Sequence, residues 1–580
     1  MPNFFDDNED LQFHFQHLPF GEIVPLRERD FAERELYPYA PENVADAVDS
    51  YARVLSMLGQ LAAEFIAPRA PAVDEQGPLL QDGEVIYAPD TQEALKMLSQ
   101  AGVMGFTLPR KYGGLNFPTV VYSMAIELVS RADASLMTLF GLQDIAETIN
   151  EFASEELKEK YLPRFSAGEV TGAMVLTEPD AGSDLQAVRT TATEDPAHGC
   201  WRLNGVKRFI TNGGADVLLV LARSEPGTTD ARGLSLFLCE AQEGVRVRRL
   251  ENKLGLHGSP TCELQFENAP AQLIGQRRRG LTRYVFSLLN GARVAIAAQA
   301  LGIAEAAYEE ALRFAEKREQ FGKAIRNIPP VAEMLVNMRL EIEAGRSLLY
   351  ETAWAVDMAR ELAHKMKDLP AEAREEKRRL RPQVTRFQRL ASVLTPLAKY
   401  YLTEMCVRVA NDALQVHGGS GYMKDYPVER LYRDARITTI YEGTSQLQIV
   451  AIIAGLLGGA LRERLQEFAT ASYPAELEEW AKTLHRAQEQ LLAAVEYVRE
   501  KHEPDYTDLH ARGLADAACD VYLGYLLLRE AQRSERKALL ARKFISIRGP
   551  QIEINTCRAC SDDRLVLDYL DLLLGHSLAE

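Results

Sequence analysis

The chain has 580 residues, 47% of them hydrophobic and 26% charged, and its 66 basic and 83 acidic side chains give a formal net charge of −17. This is the composition of a globular protein, and it excludes the disordered and fibrous classes. The negative charge argues against a broad nucleic-acid-binding surface, which needs clustered Lys and Arg side chains. A chain of this length is expected to form several domains, about one for each 150 residues.

Cysteine usage and the N-terminus both indicate a cytoplasmic protein. The seven cysteines are sparse and odd in number, which favours a reducing compartment over a disulfide framework. Cys557 and Cys560 form a CxxC pair without the second pair of a zinc site, so no metal is expected. The acidic N-terminus lacks the features of a targeting peptide. The most apolar run, residues 447–460, is shorter than the roughly 20 residues that cross a bilayer, so no integral membrane segment is expected.

The first part of the chain is predicted to be helical. Residues 1–40 are rich in aromatic side chains and are predicted to form an irregular N-terminal arm. From 41 to 167, apolar residues recur at three- and four-residue spacing, which predicts an N-terminal helical domain. Its clearest helices are expected at 44–55, 117–132 and 138–152.

A β domain is predicted over residues 168–280, because short β-branched runs alternate with turn residues there. An antiparallel barrel or sandwich fits this pattern. Asn204-Gly205 is the dipeptide of a tight hairpin, so a turn is predicted between two of the strands. The predicted strands are 173–177, 206–211, 217–222, 234–239 and 262–266.

Helical patterns return near residue 281 and continue almost to the end. They predict a C-terminal helical bundle over 281–460, beginning with a long Ala-rich helix, and an additional helical domain over 461–580. The charged stretch 361–382 is interpreted as a solvated insertion between bundle helices. The expected fold is therefore mainly α with a central antiparallel β domain.

Several segments combine glycine, hydroxyl, aromatic and charged residues in patterns suited to ligand binding. The glycines at 418, 419 and 421 would let backbone amides face a pyrophosphate, but they do not form the GxGxxG pattern of a Rossmann domain. The segments are LTEPDAGSD (176–184), LNGVKRFITNG (203–213), GAR (291–293), REQFG (318–322), QVHGGSGY (415–422) and IYEGTSQ (440–446).

Taken together and in this order, these segments resemble the acyl-CoA dehydrogenase family over roughly residues 45–455. The resemblance implies the family's fold of a helical domain, a β barrel or sandwich and a four-helix bundle. It also implies FAD as the cofactor, an acyl-CoA as the substrate and electron-transfer flavoprotein as the electron acceptor. The implied reaction is α,β-dehydrogenation to a trans-2-enoyl-CoA, as in fatty acid β-oxidation.

In the family, the carboxylate of the YEGT segment is the catalytic base, which here is Glu442. It takes the α-proton while flavin N5 accepts the β-hydride. Some relatives instead place the base just before the Arg of the Ala-rich helix, but this sequence has Ala292 there. The α-proton of a thioester is a weak acid, so its removal needs a positioned base and stabilisation of charge on the carbonyl oxygen.

The resemblance also assigns binding residues, and it implies that His417 only packs and that Phe140 lies where the acyl pocket ends. Phe209 stands where many relatives have Trp, and Ile449 where many have a basic residue. The implied substrate contacts are Ser183, Asn290, Arg293, Tyr441 and Gly443. The implied FAD contacts are Leu176, Thr177, Phe209, Thr211, Thr444 and Gln446, together with Arg318, Phe321, Gln415, Gly418 and Gly419 toward the FAD of a neighbouring subunit.

The region after residue 461 resembles the larger family members, in which an extra helical domain covers the face otherwise used by a second dimer. A homodimer is therefore expected. Two alternatives stay open on sequence grounds. One is an acyl-CoA oxidase that returns electrons to O₂. The other is a low-turnover flavin-containing assembly protein or nucleic-acid-binding paralogue, supported by a basic cluster of Arg533, Arg536, Lys537, Arg542, Lys543 and Arg548.

Overall fold

The computed structural model describes residues 2–575. The N-terminal arm contains two helices up to residue 27, contrary to the irregular structure predicted for it, whereas residues 28–40 form turns without a helix or strand. Its helices are α1 (Glu9–His17) and α2 (Phe20–Arg27), and the Asn8 side chain caps α1 by accepting the Leu11 N–H at 3.0 Å. Phe15 and Phe20 pack with ring centres 5.4 Å apart, and Phe20 lies 5.7 Å from Tyr51 on α3 (Val44–Leu61). The aromatic side chains thus attach the arm to the next helix.

The predicted helices at 44–55 and 117–132 are confirmed, but the one at 138–152 is broken. A helix ends at Gly141, a 3₁₀ turn covers Leu142–Asp144, and the next helix begins at Ile145. This break places the turn in the wall of a cavity described below. The elements that follow α3 are α4 (Ala70–Gln76), β1 (Leu79–Gln81), β2 (Glu84–Ile86), α5 (Pro89–Gln100), α6 (Thr119–Ala132), α7 (Ala134–Gly141), α8 (Ile145–Phe152) and α9 (Glu155–Ala167).

The predicted β domain is present, and each predicted strand overlaps an observed one. The sheet has the order β3-β6-β4-β5-β9-β7, with β8 on β9, and a further β6–β7 pairing closes it. It is antiparallel except where β6 pairs with β3 and, at one residue pair, with β4. Its strands are β3 (Gly172–Val175), β4 (Thr191–Asp195), β5 (Cys200–Thr211), β6 (Val217–Arg223), β7 (Leu234–Glu240), β8 (Val245–Leu250) and β9 (Thr261–Leu273).

The hairpin turn predicted at Asn204-Gly205 is wrong, because both residues lie inside β5. The pairing of β5 with β9 shifts register between Leu203 and Gly205, because β9 has one extra residue there, so Asn204 lies opposite a bulge of β9. A Cβ at Gly205 would lie 2.5 Å from the Thr190 hydroxyl oxygen, so only glycine fits this close approach.

Strand β6 is buried on both faces and joins two cores. Leu219 belongs to a cluster with Ile149 and Phe165 of the N-terminal helices. The adjacent Leu218 belongs to a second cluster with Phe237 inside the sheet. Because side chains alternate across a strand, one strand can complete both cores.

The Ala-rich helix is α10 (Phe286–Lys317), which follows a π-helical turn at Gly280–Val285. Residues 280–317 are long and apolar enough to cross a membrane, but 61% of the most apolar window is buried inside the protein. This burial is typical of a helix at the centre of a bundle. A second candidate exists only if two later helices, 445–457 and 462–470, are counted as one span, and they are bent by 69° at their break.

The remaining chain is almost entirely helical. The charged stretch 361–382 is mostly helical. Only its residues 369–373 lie outside the two long helices that it connects. After a hairpin of β10 (Glu319–Gln320) and β11 (Lys323–Ala324), the elements are α11 (Pro329–Asp368), α12 (Arg374–His417), α13 (Val428–Ile437), α14 (Ser445–Leu457), α15 (Arg462–Thr470), α16 (Glu478–Lys501), α17 (Pro504–Ala531), α18 (Glu535–Ala559), α19 (Leu565–Asp568) and α20 (Leu570–Leu573).

The chain divides into two compact units. The first comprises Met1–Leu335 and Cys406–Glu442, and the second comprises Val336–Met405 and Gly443–Glu580. The finer division at residues 40, 167, 280 and 460 stays a prediction.

In the second unit, the buried carboxylate of Glu351 on α11 fixes α15 and α17. Arg464 and Arg529 donate to it at 2.6 and 2.8 Å, and the Tyr522 hydroxyl donates at 3.3 Å. Burial acts to raise the pKa of Glu351, but the two guanidinium groups outweigh it and lower this pKa from 4.5 to about 2. Because the folded-state pKa is depressed, the stabilisation is present above pH 4.5 and is lost as the pH falls toward about 2.

A second buried carboxylate, Glu343, neutralises part of the basic cluster. Lys537 lies 2.9 Å from it, and Arg536 donates to it at 3.1 Å. Arg548 donates to Glu341 at 2.6 Å. Three of the six basic residues therefore form ion pairs within the unit. This pairing weakens the interpretation of the cluster as a nucleic-acid or membrane contact.

Glu351→Gln should lower the free energy of unfolding of the second unit by about 3–5 kcal/mol, because it leaves Arg529 without this buried counter-charge and Arg464 with Glu467 alone, at 2.7 Å. The variant should also lose less stability than the wild type between pH 4.5 and about 2. Trp354 fluorescence during urea unfolding measures both effects, since the Arg464 guanidinium lies 5.2 Å from that ring.

Glu478→Gln is the matched control, because it breaks an exposed pair with Lys482 at 3.3 Å. Exposed pairs contribute less than about 1 kcal/mol. Equal losses in the two variants would show that Glu351 does not anchor these helices.

Candidate active site

An apolar, partly open cavity lies in the first unit, where α7, α8 and α10 meet the ends of β3 and β5. The loop after α13 adds Tyr441 and Glu442 to its wall. The lining residues are Met137, Thr138, Gly141, Leu142, Asp144, Ile145, Met174, Thr211, Leu288, Ala292, Ala295, Ile296, Tyr441 and Glu442.

Glu442 is partly buried and has a left-handed backbone, with a φ of 55°, and Gly443 follows with a φ of 92°. A non-glycine residue rarely adopts this conformation unless its surroundings hold it there. The Tyr441 hydroxyl donates to the Gln299 side chain, and Gln299 donates to the Ala134 carbonyl at 2.9 Å. These bonds tie the loop to α10 and α7.

The guanidinium of Arg293 interacts electrostatically with the carboxylate of Glu442. Burial lowers the pKa of its guanidinium, while the charge of Glu442 acts in the opposite direction. The Arg293 Nη1 donates to Asn290 at 3.0 Å, and its Nε is buried without a hydrogen-bond acceptor among residues 2–575. The positive charge of Arg293 therefore acts on the Glu442 carboxylate. The sequence also predicts that Arg293 contacts the substrate.

Ala292 lines the cavity next to this pair. In this chain the position therefore offers no second carboxylate that could replace Glu442 as a base.

The segment at the end of β3 rests on a buried ion pair that sequence reasoning missed. The Lys207 side chain is fully buried, and its Nζ lies 2.8 Å from the Leu176 carbonyl and 2.9 Å from Glu178. Glu178 also accepts the backbone N–H groups of Arg189 and Thr190, at 2.7 and 2.9 Å. Burial lowers the pKa of Lys207 to about 8 although Glu178 acts to raise it.

Phe209 and Thr211 follow Lys207 on β5. The register shift between Lys207 and Ile210 gives Phe209 a left-handed φ of 60°, and its ring is 52% exposed. The Arg208 N–H donates to the Thr177 carbonyl at 2.9 Å. This bond brings Leu176 and Thr177 beside the Phe209 segment. Thr211 lines the same cavity as Glu442.

The other predicted residues of the first unit do not line this cavity. Ser183 and Asn290 are exposed, as are Arg318, Gln415 and Gly419. Phe321 is 93% exposed with a φ of 53°. Gly418 has a φ of 59°, and a Cβ on Gly418 or Gly419 would meet nothing within 4 Å. These residues offer open backbone and an uncovered ring to a ligand or a second subunit.

In the second unit, the Gly443 carbonyl accepts hydrogen bonds from Lys399 and Gln448, both at 2.9 Å. The Thr444 side chain caps α14, and Gln446 is exposed in its first turn.

The predictions for His417, as a packing residue, and for Phe140, at the end of the acyl pocket, have different outcomes. His417 is 5% exposed and stacks on Phe314 with ring centres 4.3 Å apart, which confirms its packing role. Phe140 does not line the cavity and instead lies 6.0 Å from the Tyr122 ring. Its neighbours Met137 and Gly141 form that part of the wall, because the helix turns Phe140 to a different face.

Comparison with known proteins identifies the family and the fold. The chain matches the models of the acyl-CoA dehydrogenase N-terminal domain over residues 48–169, the middle domain over 173–269 and the C-terminal domain over 279–457. A further model, acyl-CoA dehydrogenase C terminal, matches 458–553. The chain belongs to the acyl-CoA dehydrogenase family.

Individual relatives of this family cover most of the chain. It is 39% identical to an acyl-CoA dehydrogenase of Bacillus subtilis (63% of this chain, 90% of that protein). It is 34% identical to 3-methylmercaptopropionyl-CoA dehydrogenase of Ruegeria pomeroyi (77% of this chain, 79% of that protein). An FAD-complexed acyl-CoA dehydrogenase structure from Bacillus anthracis superposes with a TM-score of 0.75 at 24% identity (91% of this chain, 90% of that one), which supports the fold alone.

Acyl-CoA dehydrogenases depend on FAD, and the residues of this chain fit that cofactor. Thr177 and Thr211 supply hydroxyl groups, and Phe209 supplies a half-exposed ring beside the cavity. Gly418 and Gly419 leave open space where side chains would otherwise stand. This set combines polar partners, a ring surface and accessible backbone, as a flavin dinucleotide requires.

Lys207→Met should weaken FAD binding by roughly tenfold or more, because a hydrogen-bonded charge is lost under the Leu176–Glu178 segment. The ratio of bound flavin to protein and the dissociation constant after reconstitution measure this. Lys253→Met is the matched control, since burial also lowers the pKa of Lys253 to about 8 and its Nζ bonds the Leu256 carbonyl at 2.7 Å. Both variants should lose thermal stability. Normal FAD affinity in Lys207→Met would exclude the supporting role.

Proposed function

We propose that this chain catalyses the α,β-dehydrogenation of an acyl-CoA to the trans-2-enoyl-CoA, with Glu442 as the base. One observation carries this proposal: Glu442 and Thr211, assigned to substrate chemistry and to the flavin, line a single apolar cavity. Such a cavity fits an acyl chain, and it brings the acyl Cα and Cβ within reach of both the base and the cofactor. The relatives named above as dehydrogenases of acyl-CoA thioesters support the same reaction.

In this mechanism the Glu442 carboxylate takes the α-proton, and electron density moves onto the thioester oxygen. The Glu442 backbone N–H is proposed to bind that oxygen, as preorganised donors do for developing charge. Bound FAD would supply the acceptor for the β-hydride. The atoms therefore balance as one proton to Glu442 and one hydride to the cofactor.

The apolar wall and Arg293 have different effects on the electrostatics of the site. The wall excludes water, which strengthens the electrostatic interactions within the site. Arg293 supplies a positive charge near Glu442, which favours the ionised carboxylate that can act as a base. Ser183, Asn290, Tyr441 and Gly443 are proposed to complete the substrate contacts.

The FAD contacts are proposed to come from two subunits of a homodimer. Leu176, Thr177, Phe209 and Thr211 would bind the flavin ring, and Thr444 and Gln446 the phosphate and ribose. The remaining set of predicted residues is proposed to bind the FAD of the partner subunit. The high exposure of Phe321 and the open backbone at Gly418 and Gly419 support this proposal. That set is Arg318, Phe321, Gln415, Gly418 and Gly419.

Glu442→Gln should retain FAD and bind acyl-CoA while losing flavin reduction by about 10²–10⁴-fold or more, since general-base removal has this effect. Anaerobic stopped-flow bleaching of the flavin by a panel of acyl-CoAs measures the rate. The control is Glu169→Gln, an exposed carboxylate of the same unit, which should reduce its flavin at the wild-type rate. If Glu442→Gln also reduced its flavin at that rate, another residue would have to be the base.

Electron-transfer flavoprotein is the proposed acceptor, in a cytoplasmic enzyme of fatty acid β-oxidation. Enzyme reduced by substrate should therefore be reoxidised much faster by electron-transfer flavoprotein than by air-saturated buffer, because the flavin half-reaction delivers electrons to a protein partner. Stopped-flow recovery of flavin absorbance compares the two. Faster recovery in air, with formation of hydrogen peroxide, would identify an acyl-CoA oxidase instead.

A further inference from the structure

The loop between β8 and β9, residues 251–260, contacts both α13 and one wall of the cavity. A Cβ at Gly255 would lie 2.6 Å from the carbonyl group of Arg433, so only glycine allows this approach to α13. Farther along the loop, the Ser259 hydroxyl accepts a hydrogen bond from the Thr138 hydroxyl at 2.7 Å, and Thr138 lines the cavity. The loop therefore connects α7, in the cavity wall, with α13, the helix that precedes the proposed base.

A buried lysine holds the backbone of this loop. The Lys253 Nζ donates to the carbonyls of Leu256 and Ser259 at 2.7 and 2.5 Å and to the Thr261 hydroxyl at 3.1 Å. Leu256 has a left-handed φ of 49°, which a residue other than glycine adopts only where its surroundings hold it. The bonds of Lys253 provide those surroundings.

Asp434 on α13 accepts the N–H of the same strained residue. Its Oδ1 lies 2.6 Å from the Leu256 nitrogen, and Asp434 is 1% exposed. A hydrogen bond to a carboxylate is roughly twice as strong as one between neutral groups. The preceding residue, Arg433, donates to Asp74 on α4 at 2.6 Å. Two adjacent residues thus attach α13 to the loop and to α4.

The position of α13 determines the position of Glu442. The Thr438 N–H donates to the Ala435 carbonyl at 3.2 Å, and the Tyr441 N–H donates to the Ile437 carbonyl at 3.1 Å. Residues 438–441 therefore continue directly from the last turn of the helix. The sequence from Asp434 to Glu442, DARITTIYE, contains no glycine that could act as a hinge. A shift of α13 would therefore move the carboxylate as well.

We propose that Asp434 is a positioning residue for the base: its bond to the Leu256 N–H fixes the end of α13 and thereby the place of the Glu442 carboxylate. This inference rests on the proposed dehydrogenase function, in which Glu442 takes the α-proton. Proton abstraction is sensitive to such placement, because a misplacement of about 1 Å can slow an enzyme roughly 100-fold.

Asp434→Ala removes the acceptor without adding bulk. Flavin reduction by an acyl-CoA, counted per bound FAD, should become roughly tenfold to 100-fold slower. The acyl-CoA concentration that gives half the maximal rate should change little, because the cavity wall is intact. Dithionite should reduce the flavin of this variant as fast as that of the wild type, since that reaction needs no base. Anaerobic stopped-flow absorbance measures all three quantities.

Asp520→Ala is the matched control for lost stability. Asp520 is 4% exposed, lies 3.7 Å from Arg548 and belongs to the second unit. This variant should also unfold at a lower temperature, but its flavin should be reduced at the wild-type rate per bound FAD. The comparison separates a positioning role of Asp434 from a purely structural one.

The pH dependence of the rate provides a second test. Burial raises the pKa of Asp434 to about 6, although Arg430 and the Leu256 N–H act to lower it. The rate should therefore fall as the pH drops through about 6, because a neutral carboxyl group binds the N–H less strongly. Asp434→Asn keeps an acceptor oxygen without the charge. Its rate at pH 8 should lie between those of the wild type and Asp434→Ala, and its profile should lack this step.

The difference between the profiles of the wild type and Asp434→Asn isolates Asp434 from the groups around it, which both proteins share. These groups are Arg430 and Arg433 on α13, Lys253 and His257 in the loop, Asp74 on α4, Asp133 before α7, Cys406 on α12, and Tyr441.

A wild-type rate per bound FAD in Asp434→Ala, or identical pH profiles for Asp434→Asn and the wild type, would overturn the inference. If Asp434→Ala does not fold, the profile of Asp434→Asn decides alone. Failure of the proposed function would look different: no acyl-CoA would reduce the wild-type flavin, or Glu442→Gln would be reduced at the wild-type rate, and the inference would fail with it.

Discussion

The active site depends on one physical constraint, which is the placement of an ionisable carboxylate in an apolar cavity. Glu442 bears two costs there: a left-handed backbone, with a φ of 55°, and partial loss of water. The charge of Arg293 offsets the second cost. The bonds from Tyr441 to Gln299 and from Gln299 to the Ala134 carbonyl hold the loop. The packing of α7 against α10 is therefore also what positions Glu442, the proposed base.

The second unit uses buried carboxylates for a structural purpose. Glu343 and Glu351 are on α11, and they pair with Arg339 on α11 itself and with cations on the later helices α15, α17 and α18. A buried ion pair gives little net stability over an apolar contact, but breaking one is costly. These pairs therefore fix which helices associate. Together with the Glu341–Arg548 pair, they also neutralise three of the six basic residues that the sequence places in one cluster.

Irregular backbone concentrates on the strand that leads into the site. Strand β5 shifts register twice, at Gly205 and again before Ile210, and the second shift gives Phe209 its left-handed conformation. Bulges of this kind redirect side chains next to binding sites. Below them, the Lys207–Glu178 pair fixes the turn at the end of β3. The sheet thereby presents Thr177, Phe209 and Thr211 from two different strands.

The sequence by itself determined the order of helical, β and helical regions, because periods of 3.6 and 2 residues are local properties of the chain. It also pointed to Glu442 and to the absence of a rival base at Ala292, since both follow from short motifs. Only the tertiary structure decided that Asn204-Gly205 lies within β5 opposite a bulge of β9, that α7 and α8 are broken by the turn carrying Asp144, and that Arg536 meets Glu343. Glu343 and Arg536 are 193 positions apart in the sequence. Such pairings depend on which distant segments pack together, and no local pattern encodes that.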